Sequence, residues 1–68
     1  MDCKFGERLK ELREERHLSQ QQLAKQVGIS DSAIGYWEQN KRIANIEAVM
    51  KLALFFGVSI DYLAGLED

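Results

Sequence analysis

The sequence predicts an all-α fold of five short helices, arranged as one domain over residues 1–68. Apolar residues recur at intervals of three and four along most of the chain, whereas no stretch alternates with the period of two typical of a strand. Proline is absent, and Ser, Asn and Gly, which suit helix ends, separate the apolar stretches. The 46% apolar and 29% charged fractions are typical of a folded domain, here close to the lower size limit for an unaided core.

The first helix is predicted over about residues 3–16 from a single stripe of side chains. The members of this stripe follow one another at i, i+4, i+7 and i+11, and they are Phe5, Leu9, Leu12 and Arg16. Ser19 suits the N-cap of a second helix, and Gln22 three positions later fits a capping box. Gly28 tolerates the left-handed backbone that commonly follows a helix, so it is predicted to end the second one.

A third helix is predicted over about residues 31–39. Ser30 suits its N-cap, Ile34 and Trp37 face inward, and Asn40 ends it because asparagine tolerates a positive φ. The second and third helices are each about eight residues long, and a link of about three residues that contains a glycine joins them. Such a pair is a helix-turn-helix arrangement, spanning about residues 19–39.

The last two helices are predicted to begin at Asn45 and Ser59, and Gly57 closes the first of them. The side chains that share one face of each helix are expected to point inward. They are Ile46, Val49, Leu52, Ala53 and Phe56 in the fourth helix, and Ile60, Leu63 and Leu66 in the fifth.

The charge distribution bears on the possible partners. The net charge is −2, whereas a protein that binds nucleic acid usually carries a basic surface. Residues 1–42 hold eight Lys or Arg against seven Asp or Glu, and residues 43–68 hold one against four. The first two thirds can therefore face phosphate, but strong nonspecific binding is not expected.

Several function classes are disfavoured by the residue types present. The sequence holds no Ser–His or Cys–His pairing suited to catalysis, no cluster of metal ligands and no phosphate-binding loop, so neither an enzyme nor a cofactor or metal is expected. Cys3 is the only cysteine, which excludes an internal disulfide and fits a reducing cytoplasm. No apolar run is long enough to cross a membrane.

Two runs of sequence carry a family resemblance. They are LSQQQLAKQVGISDSAIGYWEQNKR and IEAVMKLALFFGVSIDYL, and they include an Ala-x-x-x-Gly-Ile-Ser turn and a Tyr-Trp-Glu-x-Asn-x-Arg exit. Over about residues 5–66 the chain resembles the phage-repressor and Xre-type, or lambda-repressor-like, helix-turn-helix domains. Asn40 stands where this family usually has glycine, and Ala44 stands where proline is common. The resemblance implies a repressor-like transcriptional regulator that binds double-stranded DNA at a specific operator through the third helix.

The resemblance also implies a role for each matching residue. Those expected to meet base edges or the groove are Asp31, Ser32, Gly35 and Tyr36. Those expected to contact phosphate are Gln20, Asn40, Lys41 and Arg42, to which the N-cap Ser30 is added. Arg13 and Glu38 match an ion pair between the first and third helices. Asp31 suits the cytosine amino group and Tyr36 suits a thymine methyl group or a phosphate, so modest discrimination by each half-site is expected.

The apolar residues near the end of the chain exceed what one inward face requires. The residues predicted to form an exposed patch are Leu54, Phe55, Ile60, Tyr62 and Leu66. A two-fold homodimer through this patch would place two third helices about one DNA turn (~34 Å) apart. Alternatively, Phe55 only enlarges the core. A different class of function also remains open, in which the module serves protein–protein contact, as in an antitoxin or an adaptor.

Overall fold

A computed structural model of the chain describes residues 4–66, which form five α-helices. The helices are α1 (Phe5–Glu15), α2 (Gln20–Val27), α3 (Asp31–Glu38), α4 (Ile46–Phe56) and α5 (Ile60–Ala64). No strand occurs between residues 4 and 66. The prediction of an all-α fold with five short helices is therefore confirmed. The interpretation of Cys3 concerns a position outside the described residues.

Four of the five helices begin at the predicted N-cap. The side-chain oxygens of Ser19, Ser30, Asn45 and Ser59 each accept from the backbone N–H three residues later, over 2.8 to 3.2 Å. Gln22 completes the capping box, because its Oε1 accepts from the Ser19 N–H at 2.8 Å. Each such cap contributes about 1 kcal/mol to the stability of its helix, so short helices are well defined here.

The link between α2 and α3 is held by a left-handed residue. Gly28 has φ 73° and its N–H donates to the carbonyl of Ala24, as does the N–H of Ile29. Ile29 packs against the core at this corner. At the end of α3, Asn40 takes the same left-handed region at φ 57°, the conformation for which asparagine is the best residue after glycine.

The core is formed by residues from all five helices. It consists of Phe5, Leu9, Leu23, Ala24, Ile34, Trp37, Ala48, Leu52, Ala53, Phe56 and Leu63. Helix α1 packs against α3 and α5, and α2 packs against α3 and α4. Helix α3 is therefore held from behind by two other helices, which leaves its opposite side open.

Three predictions of inward-facing residues were wrong. Ile46 is 65% exposed, because Ala48, which lies one turn before Leu52, takes the inward position at the start of α4. Leu66 is 74% exposed, since α5 ends at Ala64 and the chain turns away there. Ile60 is also exposed, so Ile60 and Leu66 fit the predicted exposed patch and not the inward face of the fifth helix.

Arg8 of α1 and Arg16, the C-cap residue of α1, bind the ends of the last two helices. Arg16 donates to the carbonyls of Phe55 and Phe56 at 3.2 and 3.0 Å, and Arg8 donates to the carbonyl of Tyr62 at 2.8 Å. The last carbonyls of a helix have no partner within it, so Arg16 supplies donors to those of Phe55 and Phe56, whereas Arg8 adds a second donor to the Tyr62 carbonyl, which also accepts from the Gly65 N–H at 3.0 Å. This explains why an arginine occupies the apolar stripe of α1 at position 16.

Candidate nucleic-acid interface

Helix α3 presents a polar face because its apolar side chains all point the other way. Ile34 is fully buried and Trp37 is buried, whereas Asp31, Ser32 and Tyr36 are exposed. The exposed positions recur at the spacing that keeps side chains on one side of a helix. One side of α3 is thus packed against the core, and the opposite side, which we call its front, is exposed.

A partly buried ion pair joins α1 to the end of α3. Arg13 Nε donates to Glu38 Oε2 at 2.7 Å, and Arg13 Nη2 donates to Oε1 at 3.1 Å. The two side chains are 12% and 4% exposed, so both charges are largely removed from water. The hydrogen bond to Glu38 raises the pKa of Arg13 above its ordinary value, against the opposing effect of burial. This two-pronged pair sets the angle between the helices, since a fork of two bonds permits little rotation.

Gln20, the first residue of α2, joins this ion pair. Its Nε2 donates to Glu38 Oε1 at 3.1 Å, so one carboxylate oxygen binds both Gln20 and Arg13. The side chain of Gln20 lies beside Gly35, where a Cβ would stand 3.4 Å from Gln20 Oε1. The network therefore links α1, α2 and α3 through side chains that are 18 and 25 positions apart in the sequence.

The residues expected to meet the groove lie together. A shallow depression on the front of α3 is lined by Gln20, Asp31, Ser32, Gly35, Tyr36 and Gln39. Asp31 Oδ1 accepts from the Ser32 N–H at 3.0 Å, which orients the carboxylate at the start of the helix. The structure thus places the four groove candidates on one polar surface, and Gln20 lies beside them.

The exit from α3 carries the cationic candidates. Lys41 and Arg42 are exposed, and the guanidinium carbon of Arg42 lies 5.2 Å from the centre of the Tyr36 ring. The Lys41 N–H donates to the Tyr36 carbonyl at 2.9 Å, which holds this segment against the helix. A guanidinium over an aromatic ring is attracted to it, so Arg42 and Tyr36 support one another. Asn40 is exposed in the same turn.

Gly6 is a structural residue for this site that the sequence interpretation missed. A Cβ at Gly6 would stand 2.5 Å from the Trp37 carbonyl oxygen, 2.6 Å from Asn40 Oδ1 and 2.9 Å from the Glu38 carbonyl oxygen. Helix α1 therefore approaches the backbone at the end of α3 more closely than any side chain allows. A glycine inside an otherwise regular amphipathic helix was the available signal, because it costs helix stability without an evident turn.

The predicted exposed patch near the end of the chain is only partly exposed. Leu54 is 81% exposed and Ile60 and Leu66 are exposed, but Phe55 and Tyr62 are half-buried. These two side chains are therefore less exposed than expected. Phe55 packs edge-on against Phe56 with ring centres 5.1 Å apart, and the Arg16 and Arg8 guanidinium groups lie over Phe55 and Tyr62 at 5.3 and 4.2 Å. The alternative in which Phe55 enlarges the core fits this packing better.

Other exposed apolar residues extend this surface along α4. Ile46 and Met50 share the exposed side of the helix with Leu54, at intervals of four, and Ile43 precedes them with 94% exposure. The exposed apolar surface therefore follows α4 more than α5. Within residues 4–66 no helix is long and apolar enough to span a bilayer, and no group of three or more acidic, His or Cys side chains is arranged to hold a metal ion.

Comparison with known proteins places these features in context. Residues 9–63 match a family model described as helix-turn-helix. The HTH-type transcriptional activator BcrR of Enterococcus faecalis is 41% identical over 64 residues, which is 94% of this chain and 31% of BcrR. The restriction-modification controller protein C.AhdI of Aeromonas hydrophila is 37% identical with a TM-score of 0.80, over 88% of this chain and 91% of that one.

A transcriptional regulator of Listeria innocua is 28% identical, and its crystal structure matches with a TM-score of 0.88. That match covers all of this chain and 64% of the other. The chain spans between 31% and 57% of the length of the curated relatives that it matches. The matched helix-turn-helix region is therefore only part of each of these relatives.

Proposed function

We propose a DNA-binding function for this chain, which belongs to the Xre-type helix-turn-helix family. Helix α3 enters the major groove of duplex DNA and the domain acts as a sequence-specific transcriptional regulator. The observation that carries the proposal is the division of α3 into a buried apolar side and an exposed polar side, beside two exposed cationic side chains, Lys41 and Arg42. A helix that is fixed from behind can insert its front into a groove without losing its own packing.

The groups that meet the DNA divide into two sets. Those that we assign to the groove are Asp31, Ser32, Gly35 and Tyr36. Those that we assign to phosphate are Gln20, Ser30, Asn40, Lys41 and Arg42. The Ser30 hydroxyl oxygen already accepts from the Ala33 N–H, so its remaining O–H is the group available to a phosphate oxygen. Contacts with the phosphates of DNA position the domain on the duplex, whereas contacts in the groove specify the base sequence.

The number of cations near α3 predicts an unusual salt dependence. Three of the four arginines bind protein carbonyls or a carboxylate: Arg8 and Arg13 in α1, and Arg16 at its C-cap. Two cations per copy, Lys41 and Arg42, remain beside the front of α3. Two such copies would give a slope of log affinity against log salt of about −4, shallow for a specific regulator because few counterions are released.

The domain is proposed to bind as a homodimer. Leu54, Met50 and Ile46 expose apolar surface along α4, and Leu66 is exposed after α5. A two-fold contact there would bury this surface and would present two copies of α3 to successive turns of the duplex. Repression is the mode of regulation that we propose, since occupation of an operator excludes other proteins without further contacts, and the cytoplasm is the proposed compartment.

Selection of duplexes from a random pool tests the proposal directly. We expect the chain to enrich a motif with two-fold symmetry, and Tyr36→Ala and Arg42→Ala to lose most of the affinity for that motif. Lys51→Ala is the matched control, because it removes the same unit charge from α4, where Lys51 pairs with Glu47 at 3.7 Å. It should bind like the parent.

A slope measurement complements the selection. Arg42→Ala should reduce the salt slope by about one per copy, whereas Lys51→Ala should leave it unchanged. Enrichment of no duplex, or binding that is insensitive to salt, would overturn the DNA-binding proposal. A stoichiometric protein partner recovered under those conditions would favour the protein-contact function, for which the exposed apolar side chains of α4 are the supporting observation.

A further inference from the structure

We infer that Ile43 contacts the deoxyribose of the DNA backbone, next to the phosphate that Arg42 binds. This inference rests on the proposed DNA-binding function and adds an apolar contact to the polar contacts assigned there. It follows from the exposure of Ile43, from the residues that lie beside it and from the short link that carries it.

Ile43 is the most exposed large apolar residue between residues 4 and 66, with 94% of its surface accessible to water. It lies in the link between α3 and α4, directly after Arg42 and two residues before the N-cap Asn45. A side chain that is so exposed gains little from packing within the domain. Contact with another molecule would remove its apolar surface from water, which is favourable.

A depression beside α3 places Ile43 among residues that are assigned to DNA. It is lined by Ser30, Ser32, Ala33, Tyr36, Trp37, Arg42, Ile43 and Asn45. Ser32 and Tyr36 also line the depression that contains Gln20, so these two residues form the ridge between the two depressions. When this ridge enters the major groove, we expect the depression with Ile43 to face one of the two sugar-phosphate strands that border the groove.

The link that carries Ile43 is held at both ends. Before it, the Lys41 N–H donates to the Tyr36 carbonyl at 2.9 Å. After it, Asn45 is fixed as the N-cap of α4, because its Oδ1 accepts from a backbone N–H of that helix at 2.8 Å. The three residues between Lys41 and Asn45 therefore have little freedom, and little conformational entropy is lost when they meet DNA.

The chemistry of isoleucine selects the sugar from the groups along a DNA strand. Ile43 has neither a donor nor an acceptor in its side chain, so it gains nothing from a phosphate oxygen. It lies beyond the end of α3, next to two residues assigned to phosphate, and thus at the border of the groove and not at the base edges. The apolar groups at this border are the carbons of deoxyribose. The contact is therefore expected to be independent of base sequence.

The first test measures binding to a duplex with a single half-site, where no second copy contributes, by the fluorescence anisotropy of labelled DNA. Ile43→Ala should bind about fourfold more weakly, the factor that corresponds to one buried methylene group. The factor should be the same for every duplex sequence. The slope of log affinity against log salt should not change, because an apolar contact releases no counterions. Leu54→Ala is the matched control, since Leu54 is 81% exposed on α4, and it should bind like the parent.

The second variant places a cation at the same point. Ile43→Lys should steepen the salt slope by about one per copy, because its ammonium group would reach the phosphate next to the sugar. Leu54→Lys adds the same charge on α4 and should leave the slope unchanged. Both positions are mostly exposed, so all four variants should melt like the parent, and a change in binding then concerns recognition and not folding.

Three results would overturn the inference and leave the DNA-binding proposal standing. If Ile43→Ala binds the single half-site like the parent but binds two half-sites more weakly, Ile43 contacts the second copy of a homodimer. If the loss of affinity occurs only for some base sequences, Ile43 meets a base. If neither variant at this position alters affinity or salt slope, Ile43 faces only water. Failure of the parent to enrich any duplex is a separate outcome that overturns the DNA-binding proposal and this inference together.

Discussion

Arg13 of α1 and Arg16 at its C-cap contact two different regions of the molecule, and their hydrogen bonds differ in kind. In the α2–α3 region, Arg13 makes a buried fork with the Glu38 carboxylate. In the α4–α5 region, Arg16 is exposed and donates to the backbone carbonyls of Phe55 and Phe56. The bonds of Arg13 fix the orientation of side chains, whereas those of Arg16 only supply donors to carbonyls at the end of α4.

The surfaces of the two regions also differ in polarity. The front of α3 is polar, and Gln20, Asp31 and Arg42 are each oriented there by a contact within the domain. The exposed part of α4 carries apolar side chains, among them Met50 and Leu54, beside the exposed Glu47–Lys51 pair. Recognition of bases depends on the direction of each donor and acceptor, whereas association through apolar side chains depends mainly on area, so only the first region needs a rigid polar network.

The largest expected effect separates the two arginines. Arg13→Ala leaves the buried Glu38 carboxylate without its cation and should lower the free energy of unfolding by about 3 kcal/mol. Arg16→Ala removes donors that water can replace and should cost about 1 kcal/mol. Urea unfolding followed by the fluorescence of Trp37, the only tryptophan, measures both. Equal losses in the two variants would contradict the distinction between a buried and an exposed arginine.

Smaller changes in stability, of opposite sign, are expected for substitutions at Gly6 in α1 and Gly35 in α3. Gly6→Ala drives a Cβ into the Trp37 carbonyl and should destabilise the domain by about 2 kcal/mol. Gly35→Ala gains helix propensity, and its Cβ would contact only the flexible side chain of Gln20, 3.4 Å from Oε1, so it should stabilise the domain by about 0.5 to 1 kcal/mol. Thermal melting by circular dichroism compares the two.

The same pair separates folding from recognition. Gly35→Ala should also weaken binding to the selected duplex, because its methyl group stands where the groove approaches α3. A stabilised Gly35→Ala variant that binds DNA like the parent would show that the backbone at this position does not come close to the duplex.

The smallest effect on stability, and a test of the apolar region, is expected for the double variant Leu54→Ser with Leu66→Ser. Both side chains are mostly exposed, so the free energy of unfolding should change by no more than about 0.5 kcal/mol. Sedimentation on a two-half-site duplex should show one bound copy at concentrations where the parent gives two. Two bound copies of the variant with undiminished cooperativity would exclude this surface from dimer contact.

The fold was predictable wherever the determinants are neighbours in the chain. Ser19, Ser30, Asn45 and Ser59 cap helices through bonds to residues three positions away, and such bonds follow from residue type and spacing alone. The apolar periodicity predicted the wrong environment for Ile46, because a residue at the edge of the inward face has the same helical spacing as one at its centre. Which of the two a residue occupies depends on the helices packed beside it.

The candidate site was predictable as a set of residues but not as an arrangement. The family motif identifies Gln20, Glu38 and Arg13, yet nothing in it states that one carboxylate oxygen binds both of the others. The sequence placed Arg16 in the apolar stripe of the first helix, but nothing in it distinguishes Arg8 from an arginine that faces phosphate.

The amino-acid sequence alone determines that this protein has five short helices and a helix-turn-helix, because caps, turns and apolar stripes act over a few residues. Only the tertiary structure decides the close approach at Gly6, the partners of the α1 arginines and the direction of the Gln20 amide. These depend on groups between 18 and 54 positions apart, as from Gln20 to Glu38 and from Arg8 to Tyr62. Their meeting is set by the packing of whole helices, which no local pattern encodes.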